Sequence, residues 1–417
     1  MLPDMPPDRL VQRFAHAVKA LDPPDKIGLA VSGGGDSMAL MHLAQRWGGA
    51  HLHVVSIDHG LRPEAAGEAA MVAQAAHQLG LAHTTLRWRG WDGHGNLQDR
   101  ARQARQSLLR DWAQQVGVTA ILLGHTRDDQ AETVLMRLAR GSGVDGLAGM
   151  QPAREDQGMR WLRPLLGLAR AQLRDWLRAQ GVGWVDDPSN DDPGFDRIKA
   201  RQALAQLAPM GVSAARLSET AQRMDEAREV LNMAARDAAK RICRIEHGDI
   251  VFDAPALDAL PAETRNRLVA EALCVISSNP YRPRLAALRA ALSAPRATLH
   301  GALLTRSHGT LRITREFQAV RAHVTPPHAL WDGRWHVTAP AGMPMPQGAQ
   351  IRALGEDGLA QCADRDGWQL PHSSLKASPA VWLDAQLIAA PLAGMARDWR
   401  ASPHPVRGVL AVAPNSH

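Results

Sequence analysis

Residues 26–43 read KIGLAVSGGGDSMALMHL, and the fold is decided in this stretch. Ile27, Leu29 and Val31 make the run from Ile27 to Val31 a buried strand of ordinary length. Ser32, Gly33, Gly34, Gly35, Asp36 and Ser37 follow, and then an apolar helical run through Leu40 and Leu43. A strand, a glycine turn and a helix together build an anion site. Glycine tolerates positive φ and removes the side chains that would block a phosphate, and the turn aims unpaired N–H groups and the positive end of a helix dipole at it. No Lys follows the glycines, so this is not the GxxxxGK[ST] loop. Asp36 puts a carboxylate where a phosphate would sit, which is repulsive unless Mg²⁺ bridges the two. The alternative is a plain βα turn with Asp36 or Ser37 as helix N-cap; a complete SGGxDS directly after a strand favours the nucleotide site.

The spelling resembles the PP-loop ATP pyrophosphatases. That resemblance implies cleavage of ATP between the α and β phosphates, with pyrophosphate held by Ser32, Gly33, Gly34, Gly35, Asp36 and Ser37. Around the loop, strands and helices alternate. A helix is expected over Asp8–Leu21, strands over His51–Ile57, His83–Trp88 and Thr119–Leu123, and helices over Glu64–Leu79, Asn96–Val116 and Arg127–Arg140. This alternation predicts an α/β fold with a doubly wound, Rossmann-like parallel sheet and ligands at the carboxyl ends of its strands.

Beyond it come a glycine-rich turn at Gly141–Gly149, Arg163-Pro164-Leu165-Leu166, a helix, and a polar loop from Asp186 to Asp192. Residues 196–245 read as mostly helical, and a mixed region to about 320 carries strand-like pieces at Ile250–Phe252, Gly301–Thr305 and Thr310–Thr314. Pro326-Pro327 marks a linker. The expected division is a catalytic domain over 1–205, a helical and mixed middle domain over 206–325, and a small C-terminal domain over 326–417.

The totals fit two or three domains in 417 residues, 45% of them hydrophobic. No apolar run approaches membrane-spanning length, and the first residues are too polar for a signal peptide. Cys243, Cys274 and Cys362 form neither a CxxC pair nor a disulfide framework, which predicts a reducing cytoplasm. The net charge of +6, mostly carried by arginine, suits a polyanionic partner such as RNA and suits a biased base composition equally well.

The second constellation, Leu123–Leu147, reads LGHTRDDQAETVLMRLARGSGVDGL and starts where the fourth strand ends, beside the glycine loop. Asp129 and Glu132 are three apart, so both carboxylates share a helix face. They either cap the helix and complement its dipole, or hold Mg²⁺ against phosphates or receive an amino group. Arg140 closes the helix, as partner of its dipole or to neutralise charge on the α-phosphate.

GHTRDDQAET…RLARGSGVDGL, with SGGGDS, DHGLR, RPLL and DDPSN in order, is similar to the tRNA(Ile)-lysidine synthetase family, strongly over Asp25–Arg201. Three departures stand out: Gly124-His125 where two histidines are common, Gln106 where an aromatic is usual, and Ile198 for a common Asn. The resemblance implies an ATP-dependent ligase that joins the ε-amine of L-lysine to C2 of the wobble cytidine in tRNA(Ile) with a CAU anticodon. An adenylated tRNA would be the intermediate, and AMP and diphosphate the by-products. On that reading Asp36 and Asp129 hold Mg²⁺, Glu132 orients or deprotonates the amine, and Arg140, Arg197 or Arg201 stabilises phosphoryl charge. Asp58, His59 and Arg62 border the nucleotide pocket, although Asp58-His59-Gly60 also reads as a strand-ending turn. Arg102 and Arg105 meet a phosphate or form a solvated face, and His125 stays outside the catalytic set. A homodimer is left open.

Two rivals remain. A PP-loop tRNA thiolase would need reactive cysteines near the ATP, and none precedes Cys243. A non-catalytic nucleotide- or RNA-binding protein would leave the acidic pair beside the loop without a task.

Overall fold

The computed structural model describes residues 7–58, 60, 65–88, 97–156, 158–186, 196–341, 346–362, 364–406, 408–411 and 415–416. His59, Arg62 and most of the Asp186–Asp192 loop lie outside them. The chain divides into two compact units, Met1–Arg228 and Glu229–His417.

In the first unit the elements are α1 (Pro7–Ala20), β1 (Lys26–Ala30), α2 (Gly35–Trp47), β2 (His51–Asp58), α3 (Ala65–Gln78), β3 (Ala82–Arg87), α4 (Leu97–Val116) and β4 (Ala120–Leu123). They continue with α5 (Arg127–Ala139), α6 (Val144–Leu147), β5 (Ala153–Asp156), β6 (Met159–Leu162), α7 (Arg170–Ala179) and α8 (Asp196–Leu207). The six strands lie in the order β3-β2-β1-β4-β6-β5. All neighbours are parallel except the β5–β6 hairpin, which the sequence did not announce. The α/β, doubly wound architecture is therefore the one expected.

Side-chain alternation along β1 explains the winding. Ile27 and Leu29, with Val31 just beyond, enter one core with Leu10 and Phe14 of α1, Leu40 of α2, Val72 of α3 and Leu177 of α7. The opposite face of the sheet packs Trp112 and Leu109 of α4 against Val55, Ile121 and Trp161. Gly28 makes that second face fit, because a Cβ there would lie 2.9 Å from the Trp112 ring and 3.2 Å from Ile121. Gly28→Ala is expected to cost about 1–3 kcal/mol of overpacking, read by calorimetry as a drop of several degrees in the melting of this unit. An unchanged transition would show that the ring yields freely.

The second unit combines mainly antiparallel sheets with helices that include Ala262–Ser277. Strands Asp249–Asp253, Ala302–Ser307 and Thr310–Arg315 fall where strand-like pieces were expected. Cys243–Glu246 and Arg296–Leu299 join them, around a core that includes Phe252, Leu273 and Leu304. A separate core gathers Trp331, Trp335, Val381 and Trp382. Val324 and Thr325, just before Pro326-Pro327, already pair with Arg352 and Ile351 of that later region. Among the described residues no helix is long and apolar enough to cross a membrane.

Candidate active site

In the first sheet β1 has β2 on one side and β4 on the other, so the strand order reverses there. Crevices at such a switch point, at the carboxyl ends of the strands, are where open α/β sheets bind ligands. The loop after β1 and the start of α5 after β4 both lie there.

The loop is shaped by its own glycines and serines. Gly33 has φ +90°, a conformation that disfavours any side chain. Gly34 caps α2 with no side-chain acceptor, so the first-turn N–H groups are left to a ligand. Ser37 Oγ accepts from the Ser32 N–H at 3.1 Å and donates to Gly34 O at 2.9 Å. The Val185 N–H donates to Gly33 O at 3.0 Å and braces the loop from outside. Gly124, at the end of β4, packs directly on the start of α2: a Cβ there would stand 3.2 Å from the Ser37 backbone.

Of the two readings open for Asp129, the cap is realised. Thr126 caps α5, and Asp129 Oδ2 accepts from the Thr126 N–H at 2.7 Å and hydroxyl at 2.8 Å. The other oxygen faces a group that the sequence reading overlooked. Arg170, the first residue of α7, donates from Nε to Asp36 Oδ2 at 2.9 Å, from one terminal nitrogen to Asp129 Oδ1 at 2.9 Å, and from the other to Glu132 Oε1 at 3.3 Å. Its backbone N–H is held by Asp128 Oδ2 at 2.8 Å. Arg201 Nε, from α8, also donates to Glu132 Oε1, at 3.0 Å. Asp36, Asp129, Glu132, Arg170 and Arg201 thus form one knot.

Burial lifts the Asp36 carboxyl above its ordinary range, although Arg170 pulls the other way. Burial acts upward on Asp129 too, but there Arg170 and the two Thr126 bonds prevail and hold it low. Arg170 is opposed by burial and held charged by Asp129, Asp36 and Glu132. His125 lies alongside as a neutral imidazole, lowered to about 3 by burial, with Arg163, Arg197 and Arg105 adding repulsion. Two carboxylate oxygens in the knot, Asp36 Oδ1 and Glu132 Oε2, are buried and have no hydrogen-bond partner. Such acceptors are costly unless a cation or donor meets them.

Not every expected residue joins. Arg140 sits at the far end of α5, about 16 Å of helix rise from Asp129, and pairs in the open with Asp196 at 2.7 Å. Arg197 is exposed on α8. Asp58 Oδ1 accepts from the Gly60 N–H at 2.9 Å, the strand-ending turn of the sequence reading. Arg105 is exposed, and the Arg102 side chain lies outside the described residues.

For Mg²⁺ the donor set is partial. No group of three His, Cys, Asp or Glu among the described residues could hold a metal, but Mg²⁺ bound with a nucleotide needs only one or two carboxylates beside the phosphates. Asp36 Oδ1 suits that; both oxygens of Asp129 are engaged while Arg170 stays in place. The missed Arg170 did leave a trace in the sequence. An arginine opening a helix opposes the dipole, a disfavoured placement unless carboxylates surround it.

Residues 7–208 match the family model of the PP-loop domain. The chain is 49% identical over 386 residues to the tRNA(Ile)-lysidine synthase of Ruegeria pomeroyi, covering 91% of each. It is 36% identical over 400 residues to that of Mesorhizobium japonicum, covering 91% of this chain and 85% of the relative. Against that of Bradyrhizobium diazoefficiens it is 41% identical over 319 residues, covering 68% and 88%.

Proposed function

The chain belongs to the tRNA(Ile)-lysidine synthase family, and from that membership we propose that it is an ATP-dependent ligase making lysidine at the wobble cytidine of tRNA(Ile) with a CAU anticodon. The observation that carries this reading is the switch-point knot, in which Asp36 and Glu132 each keep one buried oxygen unpartnered beside the glycine loop and the start of α2, which no side chain caps.

The cytosine C2 oxygen is a poor leaving group. It attacks the ATP α-phosphate, diphosphate leaves, and the lysine ε-amine then forms the bond to C2 while the C2–O bond breaks and AMP departs. The Ser32–Ser37 backbone receives the diphosphate. Mg²⁺, held through Asp36 Oδ1 and with Asp129 as the second candidate ligand, would screen phosphate charge. Glu132 Oε2 meets the amine, because Oε1 already carries two guanidinium donors. Arg201 is the arginine of the expected set placed on the knot, with Arg197 one helical turn before it. We assign the residues beyond about 205 to positioning tRNA, and the reaction to the cytoplasm, where its substrates are.

Thiolation is disfavoured by the thiols themselves. Burial pushes Cys243 up to about 12 and Cys274 up to about 11, and raises Cys362, so none supplies a thiolate near neutral pH.

Incubation with labelled ATP, lysine and unmodified tRNA should yield AMP and diphosphate; ADP with inorganic phosphate would overturn the reading. Asp36→Ala is expected to lower the rate by about 100-fold or more and to remove the Mg²⁺ dependence of ATP binding. Arg170 keeps Asp129 and Glu132 as partners, so the fold should persist. A folded, fully active variant would remove Asp36 from the mechanism.

A further inference from the structure

The second unit presents an aromatic ring where a core residue would be hidden. Tyr281 is 75% exposed, and it is the only exposed aromatic among the described residues. The turn that carries it is fixed at several points. Ser278 ends the helix Ala262–Ser277 in the left-handed region, at φ 53°, and its hydroxyl donates to Asp332 O at 2.6 Å. Asn279 Oδ1 accepts from the Tyr281 N–H at 3.0 Å. Pro280 and Pro283 restrict φ on either side of the ring. Arg282 is tied to Glu271 at 3.3 Å. A ring held out on a stiff turn loses little conformational freedom when something covers it.

The surroundings are cationic. Arg284 caps the helix Leu285–Ser293, and Leu285 and Arg289 are exposed one turn apart on it. Arg284 and Arg289 form no ion pair among the described residues. Between Ala272 and Arg296 the sequence contains no acidic residue. Unpaired guanidinium groups beside an exposed ring match a polyanion with flat bases: stacking supplies sequence-tolerant affinity, and phosphates meet the arginines.

We propose that the Asn279–Arg284 turn is an RNA-docking surface, on which the Tyr281 ring stacks against an unpaired base and Arg284 meets an adjacent phosphate. It rests on the reading of tRNA as substrate. The test is binding of the full chain to an unmodified tRNA(Ile) transcript with a CAU anticodon, across a salt series. Tyr281→Ala should weaken binding by roughly 5- to 100-fold and leave the slope of log affinity against log salt unchanged, while Tyr281→Trp keeps the affinity. Arg284→Ala should reduce that slope by about one. Melting and ATP binding should match the parent in all three variants. Parental affinity in Tyr281→Ala would overturn the surface, as would loss of self-association, in sedimentation, as that variant's only effect. Failure of the unsubstituted chain to bind tRNA would instead overturn the proposed function.

Discussion

Arg170→Ala should lose lysidine formation by about 100-fold or more and melt its unit roughly 6–20 °C lower. Arg170 is the cation shared by Asp36, Asp129 and Glu132, and its side chain is 18% exposed while that of Glu132 is 2% exposed. Removing one partner of a buried ion pair leaves uncompensated charge, at a cost of about 3–5 kcal/mol. For a unit of this size each kcal/mol is worth about 2–4 °C. Activity falls for a separate reason, since Asp36 and Glu132 repel once the guanidinium is gone and lose the rotamers that face the crevice. Arg170→Lys should fall between, because one ammonium cannot reach all three carboxylates with a fixed fork. Calorimetry and single-turnover kinetics read the two effects apart. Parental melting with parental rate in the Ala variant would show that the knot is incidental.

Glu132→Gln should separate the two halves of the reaction. The amide keeps the shape and an acceptor for Arg170 and Arg201, but it cannot take a proton. Lysine transfer is expected to fall by roughly two to four orders of magnitude, while adenylated tRNA still forms and carries label from α-³²P-ATP. An amine with an ordinary pKa near 10 is almost wholly protonated at neutral pH. Raising the pH should therefore partly rescue the variant. Adenylation intact without pH rescue would leave Glu132 a positioning role, and loss of both steps together would move it to the nucleotide or metal.

The residues differ in how openly the sequence displays them. β1 and β4 are short apolar runs and β2 has a buried centre at Val54-Val55; all three are closed by glycine or polar turns, and their observed ends fall within a residue of expectation. Burial on both faces leaves such strands little latitude in composition. β5 escaped because Arg154, Glu155 and Asp156 show no apolar alternation. Asp36, Asp129 and Glu132 were legible from local spacing. Arg170 was not, because its partners lie 134, 41 and 38 residues away in the chain and no short motif joins them. For Arg140, motif position pointed to the centre, whereas the helix rise carries it to the open end.

The β5–β6 hairpin has a bearing on how copies of the chain behave toward one another. A parallel sheet ending on a bare apolar strand would offer a row of free N–H and C=O groups to any passing strand. Here the sheet ends on four residues running the opposite way, three of them the charged Arg154, Glu155 and Asp156. So short and charged an edge is a poor template for strand addition. Any pairing of two copies through a shared sheet at this border is thereby discouraged, and crowded protein is kept from growing into ribbons from it.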